Sequence, residues 1–102
     1  MTTPELPRTI TDAEGRFVEF SERSWQHIRS RRPQLLDDLR PILEAIERPD
    51  HHQEDRIDGR ERFYLRHVTD KVRWLTVVVD FNPDPAVVVT AFIQRKNPTR
   101  DR

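Results

Sequence analysis

The sequence predicts an α+β fold in which N-terminal helices pack on a C-terminal antiparallel sheet of three to four strands. Apolar residues repeat at helical spacing in the first half of the chain, at Leu35, Leu36, Leu39, Ile42, Leu43 and Ile46. Three segments rich in β-branched and aromatic residues follow in the second half, at 61–68, 72–81 and 86–93. Short links join these segments, and such links connect antiparallel neighbours.

The composition is that of a small, polar globular domain. The chain has 102 residues, which suits one domain, and 34% of them are hydrophobic and 35% charged. Eighteen basic and eighteen acidic residues cancel, so net charge does not predict strong nonspecific nucleic-acid binding. The absence of cysteine excludes disulfides, thiolate nucleophiles and cysteine-ligated zinc. No apolar run approaches the ~20 residues of a membrane helix, and residues 1–8 lack a secretory signal, so we expect a cytoplasmic protein without a membrane partner.

The predicted domain spans residues 16–95 and is flanked by two tails. Residues 1–15 contain two prolines and a glycine, which predicts a flexible tail ending in a turn at Glu14 and Gly15. Residues 96–102 are expected to form the second tail. In an extended chain over residues 16–20, Phe17 would point to the face opposite Val18 and Phe20, and this pattern predicts a short edge strand.

Two helices are predicted next. Ser21 is expected to cap the first, which buries Trp25 and Ile28. The second is expected to begin at Pro33, because proline suits a first turn. Pro41 lies inside the apolar repeat, where proline removes a backbone hydrogen bond, so we expect a bend near residue 37 or two shorter helices.

The strands that follow are predicted to have two different faces. Residues 51–58 predict either a short edge strand or a loop before them. One face is expected to join the core: Phe63, Leu65, Leu75, Val77, Val79, Phe81, Val87, Val89, Ala91 and Ile93. The other mixes charged, hydroxyl and aromatic residues: Arg62, Tyr64, Arg66, Trp74, Thr76, Val78, Val88, Thr90 and Phe92. This second face suits a shallow site for an anion or a nucleobase better than a further apolar layer.

The order of two helices and three or four antiparallel strands resembles a superfamily of small metal-independent nucleases. The likeness is carried by Trp25-Gln26-His27-Ile28, Arg32-Pro33, residues 42–49, Arg62-Phe63-Tyr64-Leu65-Arg66, residues 75–79 and Val89-Thr90-Ala91-Phe92. The superfamily includes barnase, EndoU, the tRNase colicins and RelE-type toxins. The closer resemblance is to its phage-associated branch, and it covers about residues 16 to 95.

The resemblance implies a metal-independent endoribonuclease of toxin or phage type, a hydrolase without a cofactor. It implies RNA as substrate, with tRNA among the candidates, and an antitoxin or immunity protein as a candidate partner. By position, His27 matches the helix histidine of the superfamily, Arg62 or Arg66 its strand arginine, and Thr90 its hydroxyl residue. Arg32 stands where the phage branch often has a second histidine. This departure favours, as the alternative, a catalytically inactive RNA- or protein-binding module on the same fold.

These side-chain types suit the chemistry. RNA cleavage by the 2′-hydroxyl needs a base, an acid and positive charge near the phosphorane. His27 would transfer protons, since the ordinary pKa of histidine is about 6.5, and Arg66 and Thr90 would complete the catalytic set. The substrate-binding candidates are Arg62, Tyr64, Arg32 and Trp74.

Simpler explanations stay open for each candidate. His27 also fits a surface histidine with local hydrogen bonds, and Arg62 and Arg66 also fit a solvated face with surface ion pairs. Thr90 also fits the preference of threonine for strands.

Histidines elsewhere in the chain do not predict a metal site. His51 and His52 are adjacent, and adjacent residues of a strand point to opposite faces, so they would not share an ion. His67 falls on the predicted core face and is expected to be a hydrogen-bonded boundary residue.

Overall fold

The computed structural model describes residues 5–31, 38–68 and 72–98. Within them, six strands form one sheet and two helices accompany it. In chain order the elements are β1 (Arg8–Thr11), β2 (Phe17–Phe20), α1 (Glu22–Arg31), α2 (Arg40–Glu47), β3 (His51–Glu54), β4 (Arg60–Val68), β5 (Val72–Asp80) and β6 (Ala86–Gln94). Neither helix is long and apolar enough to cross a membrane.

The sheet is mixed, with the strand order β1-β2-β6-β5-β4-β3. β2 runs parallel to β6, and the other neighbouring strands are antiparallel. The predicted sheet of three to four antiparallel strands behind N-terminal helices is therefore wrong, because two strands also precede the helices and join the same sheet. The antiparallel β4-β5-β6 meander is confirmed. β1 and β3 have four residues each and are mostly polar, which is too little for a clear apolar periodicity. The strand predicted over residues 16–20 is present as β2, but it lies between β1 and β6 and not at an edge of the sheet.

The prediction of a flexible tail over residues 1–15 is wrong for its described part. β1 pairs with β2 as a hairpin and buries Ile10. Asp12 is also buried, and its Oδ1 accepts the backbone N–H groups of Glu14 and Arg16 at 3.0 and 2.8 Å. Buried carboxylates need such partners, so Asp12 fixes the hairpin turn. A single apolar residue in β1 is too little to reveal this strand from sequence.

The core lies between the helices and one side of the sheet, which we call the helix-covered face. α2 packs on β1, β4 and β5 and buries Ile42, Leu43, Ala45 and Ile46. A register shift between Val78 and Val79 changes which β6 residues face inward. Ala86 and Val88 join the core there, whereas the alternation predicted Val87 and Val89. A bulge has this effect because one extra residue reverses the facing of every residue beyond it.

α2 begins late enough to accommodate its proline without a kink. Pro41 occupies the first turn, where its missing N–H breaks no helical hydrogen bond. Asp38 Oδ1 accepts the backbone N–H of Arg40 at 2.9 Å. The predicted helix start at Pro33 and the predicted bend near residue 37 lie outside the described residues.

α1 covers the edge of β6 that β2 leaves unpaired. β2 pairs with β6 at Ala86 and Val87. Just beyond, the Ser24 hydroxyl donates to the Val88 carbonyl at 2.7 Å. The predicted cap is confirmed, since Ser21 Oγ accepts the N–H of Ser24 at 3.1 Å. Trp25 and Ile28 of α1 are buried in the core, also as predicted.

Candidate functional site

The side of the sheet opposite the helix-covered face carries most of the predicted functional side chains, and we call it the distal face. Strand register arranges its centre in three rows across β4, β5 and β6. The rows are Arg62-Val78-Thr90, Tyr64-Thr76-Phe92 and Arg66-Trp74-Gln94. β3 adds Gln53 to the first row and His51 to the second. Five candidates therefore share one face, as their alternation predicts: Arg62, Tyr64, Arg66, Trp74 and Thr90.

Arg62 is held in place on the distal face by three neighbours. Its Nε lies 2.5 Å from Asp55 Oδ1, and its guanidinium carbon lies 5.8 Å from the centre of the Phe92 ring. Burial disfavours the charge of Arg62, but the bond to Asp55 and a hydrogen bond with Tyr64 outweigh it and raise the pKa of the guanidinium. Arg62 is thus an oriented donor that stays charged.

The central side chains of the distal face are buried. Tyr64, Thr76, Val78 and Trp74 are each no more than 7% exposed. Thr90 and Phe92, on β6, are partly exposed. The predicted role of Trp74 in stacking a base would require the groups that cover it to move, so Phe92 is the more accessible aromatic ring of these rows.

Gln94, at the end of β6, connects the distal face to the chain that follows. The Gln94 side chain accepts the Thr76 hydroxyl at 3.2 Å and donates to the Lys96 carbonyl at 2.8 Å. Pro98 is buried. Within the described part of the segment predicted as the second tail, Lys96 is therefore bonded to Gln94 and Pro98 is buried.

Arg66 lies in the third row and is exposed. It follows Arg62 by four positions of β4, which corresponds to about 13 Å along the strand. Its backbone N–H donates to Asp50 Oδ2 at 2.7 Å. Because Arg66 and Thr90 lie two rows and two strands apart, the structure does not bring them to one phosphate.

His27 lies on α1 and is exposed. An α-helix has 3.6 residues per turn, so the side chain of His27 is rotated by about 60° from that of Ser24 around the helix axis. The rotation is in the direction away from Trp25. Among the described residues, its side chain has no hydrogen bond or ion pair with Arg62, Arg66 or Thr90. Arg32, the remaining candidate, lies outside the described residues.

His51 also lies on the distal face, and the sequence did not single it out for this face. It pairs with Tyr64 across β3 and β4, and the two ring centres are 5.5 Å apart. Its Nε2 lies 3.0 Å from Gln53 Oε1. His52 points to the other face, as adjacent strand residues must. The choice between the two depended on the β3–β4 register, which the polar segment does not reveal.

The most extensive ionic cluster among the described residues lies on the helix-covered side. Arg16 makes two 2.8 Å hydrogen bonds to the carboxylate of Glu61 and a third, at 2.9 Å, to Asp12. His52 Nε2 lies 2.5 Å from Glu61 Oε1, and its Nδ1 lies 3.5 Å from Glu14. Arg16 bonds to the carboxylates of both Asp12 and Glu61, so the cluster connects the β1–β2 turn to β3 and β4.

Comparison with known proteins adds no family to these observations. No protein-family model, curated protein or solved structure matches the chain. The resemblance to the small metal-independent nucleases therefore stays a prediction.

Proposed function

We propose that the distal face binds single-stranded RNA. The row Arg62-Val78-Thr90 is the observation that carries this proposal. Arg62 and Thr90 flank Val78 on neighbouring strands, so a phosphate over Val78 could receive hydrogen bonds from a guanidinium and a hydroxyl.

The way Arg62 is held supports a phosphate as its ligand. Asp55 takes the Nε side of the guanidinium, and the planar fork has further N–H donors. An arginine fixed in this way loses less conformational entropy on binding than a mobile lysine would. Arg66 would contact a different phosphate, about 13 Å further along the strand direction.

The shape of the distal face favours a single strand over a duplex. The face is a sheet surface with a partly exposed ring, Phe92, and a base with an unpaired edge can stack on such a ring. A-form duplexes hide their bases in a deep groove that a sheet surface does not enter. The zero net charge predicts binding through a few contacts, with a salt slope of about 0.7 for each phosphate engaged.

Fluorescence anisotropy with a labelled single-stranded RNA would test the proposal. Arg62→Met is expected to weaken binding about tenfold, equivalent to ~1.4 kcal/mol, and Arg62→Lys to weaken it less. Thr90→Val tests the same row without removing a charge and should weaken binding by a few-fold. Arg48→Met is the matched control, because Arg48 is exposed and follows α2. Equal affinities for all four variants, or no binding by the native chain, would contradict the proposal.

A second candidate function is metal-independent cleavage of the bound RNA. The location of His51 beside Tyr64, one row from Arg62, favours it. In that reaction a base removes the 2′-hydroxyl proton, the 2′-oxygen bonds to phosphorus, and the 5′-oxygen leaves with a proton from an acid.

Incubation with RNA in the presence of a chelator separates the two functions. Cleavage predicts a 2′,3′-cyclic phosphate product and no product from RNA carrying a 2′-deoxy nucleotide at the cut site. His51→Ala and His27→Ala identify the histidine that transfers the proton, and His52→Ala serves as the control on the other face. Binding without any product would leave the RNA-binding function alone.

A further inference from the structure

We infer that one side of α1 is a second phosphate-binding track, which extends the distal-face site for longer RNA. The track consists of Arg23, His27 and Arg31, and the inference rests on the proposed RNA-binding function. These three residues recur at every fourth position, and such residues form a stripe along a helix. All three are exposed.

Charge is segregated around α1. Its acidic residue, Glu22, accepts a hydrogen bond from Gln26 at 3.2 Å, on a different side of the helix from the stripe. Arg29 lies on yet another side, with its guanidinium carbon 5.7 Å from the centre of the Trp25 ring. Within α1 the stripe therefore contains two arginines and no acidic residue, and a polyanion is the partner with complementary charge.

Helix stability does not explain Arg23. It lies in the first turn of α1, where the positive end of the helix dipole disfavours a cation. Arg31, by contrast, lies in the last turn, where a cation is favourable. A basic residue placed against the dipole is accounted for if an anion binds there.

The orientation of α1 connects the stripe to the distal face. Ser24 fixes the helix against the edge of β6 through its bond to the Val88 carbonyl. Trp25 is turned from that contact toward the core, and the stripe is turned the opposite way. A strand of RNA that crosses Thr90 and Phe92 on β6 would leave the sheet over this edge and meet the stripe.

The length of the RNA tests the inference separately from the proposed function. Oligonucleotides of about 4 and about 12 nucleotides would be titrated into the native chain, Arg23→Gln and Arg29→Gln. Arg29→Gln is the matched control, since it removes the same charge from another side of the same helix. Arg23→Gln should weaken binding of the longer RNA about fivefold, reduce its salt slope by about 0.7, and leave the shorter RNA unchanged.

Four results would overturn this inference. Equal effects of Arg23→Gln and Arg29→Gln would mean that only overall charge matters. Equal effects of Arg23→Gln on both lengths would mean that the stripe does not extend the site. Failure of the native chain to bind either RNA would remove the proposed function and the track together, whereas binding of the short RNA alone would remove only the track.

Discussion

Arg16 and Glu61, 45 positions apart in the chain, form a paired ion bridge with two N–O distances of 2.8 Å. Arg16 also lies over the Phe81 ring, with its guanidinium carbon 3.8 Å from the ring centre. The bridge connects the turn of the N-terminal hairpin to the β4 strand, across the end of the helix-covered face. It therefore joins elements that the strand order places far apart in the sheet.

Replacing Arg16 with methionine should lower the free energy of unfolding by about 2 kcal/mol. The change leaves the buried carboxylate of Asp12 and the partly buried carboxylate of Glu61 without their cation. Urea unfolding monitored by circular dichroism would measure the loss. Arg48→Met is the control and should change stability by less than about 0.5 kcal/mol. A double-mutant cycle with Glu61→Gln that gives no coupling would contradict the assignment.

Acid should remove the stability that this bridge provides. The bond from Arg16 lowers the pKa of Glu61, with a further contribution from His52, against the opposing effect of burial. A carboxyl group whose pKa is lowered by folding contributes fully above its unfolded value, about 4.3, and loses that contribution as the pH falls through its folded value.

Unfolding free energies measured at intervals from pH 7 to pH 3 would test this dependence. Glu61→Gln should be less stable than the native chain at pH 7, and the difference should shrink below about pH 4. Asp55, whose pKa is also lowered in its pairing with Arg62 despite burial, should respond in the same direction. A constant difference across the pH range would contradict the prediction.

Two glycines with a positive φ angle differ in how much space surrounds them, so replacing each with alanine compares backbone strain with and without a collision. Gly15 has φ 83° and Gly59 has φ 86°, so alanine should cost about 1 kcal/mol or more at either position. An added methyl group at Gly15 would meet no atom within 4 Å. At Gly59 it would collide with Asn82, whose side chain donates to the Asp58 carbonyl at 3.2 Å. Gly59→Ala should therefore lose about 1 kcal/mol more than Gly15→Ala in thermal or urea unfolding, and equal losses would refute this account.

Gln94→Met should loosen the segment that follows β6. Methionine keeps the length of the side chain but cannot bond to the Lys96 carbonyl or to Thr76. Acrylamide quenching of tryptophan fluorescence should increase, because Trp74 lies in the same row and becomes more accessible. Trp25 is buried in the core and contributes equally to both proteins. Gln26→Met on α1 is the control, and unchanged quenching in Gln94→Met would show that this segment does not shield Trp74.

The predictable part of the fold is the part with long, apolar strands. β4, β5 and β6 have nine residues each, and their alternation reveals both the strands and their two faces. β1 and β3 are short and mostly polar, so local sequence gives little evidence for them. The parallel pairing of β2 with β6 joins segments far apart in sequence, and no short-range pattern encodes such a pairing.

The candidate site was predictable only as a set of side chains on one face. Alternation correctly groups Arg62, Tyr64 and Arg66. It does not show that Asp55 holds Arg62 or that His51 lies beside Tyr64, because both depend on how β3 aligns with β4. The bulge near Val78 also reverses which β6 residues point toward the core, and a strict alternation of side chains does not predict this reversal.

β6 is the last of the described strands to be synthesised, yet it occupies the third position in the strand order, between β2 and β5. Until it emerges from the ribosome, the β1–β2 hairpin and the β3–β5 unit share no strand, and each exposes an edge with unpaired backbone groups. The nascent chain is therefore most vulnerable to misassociation just before its central strand becomes available, and the insertion of that strand closes both edges at once.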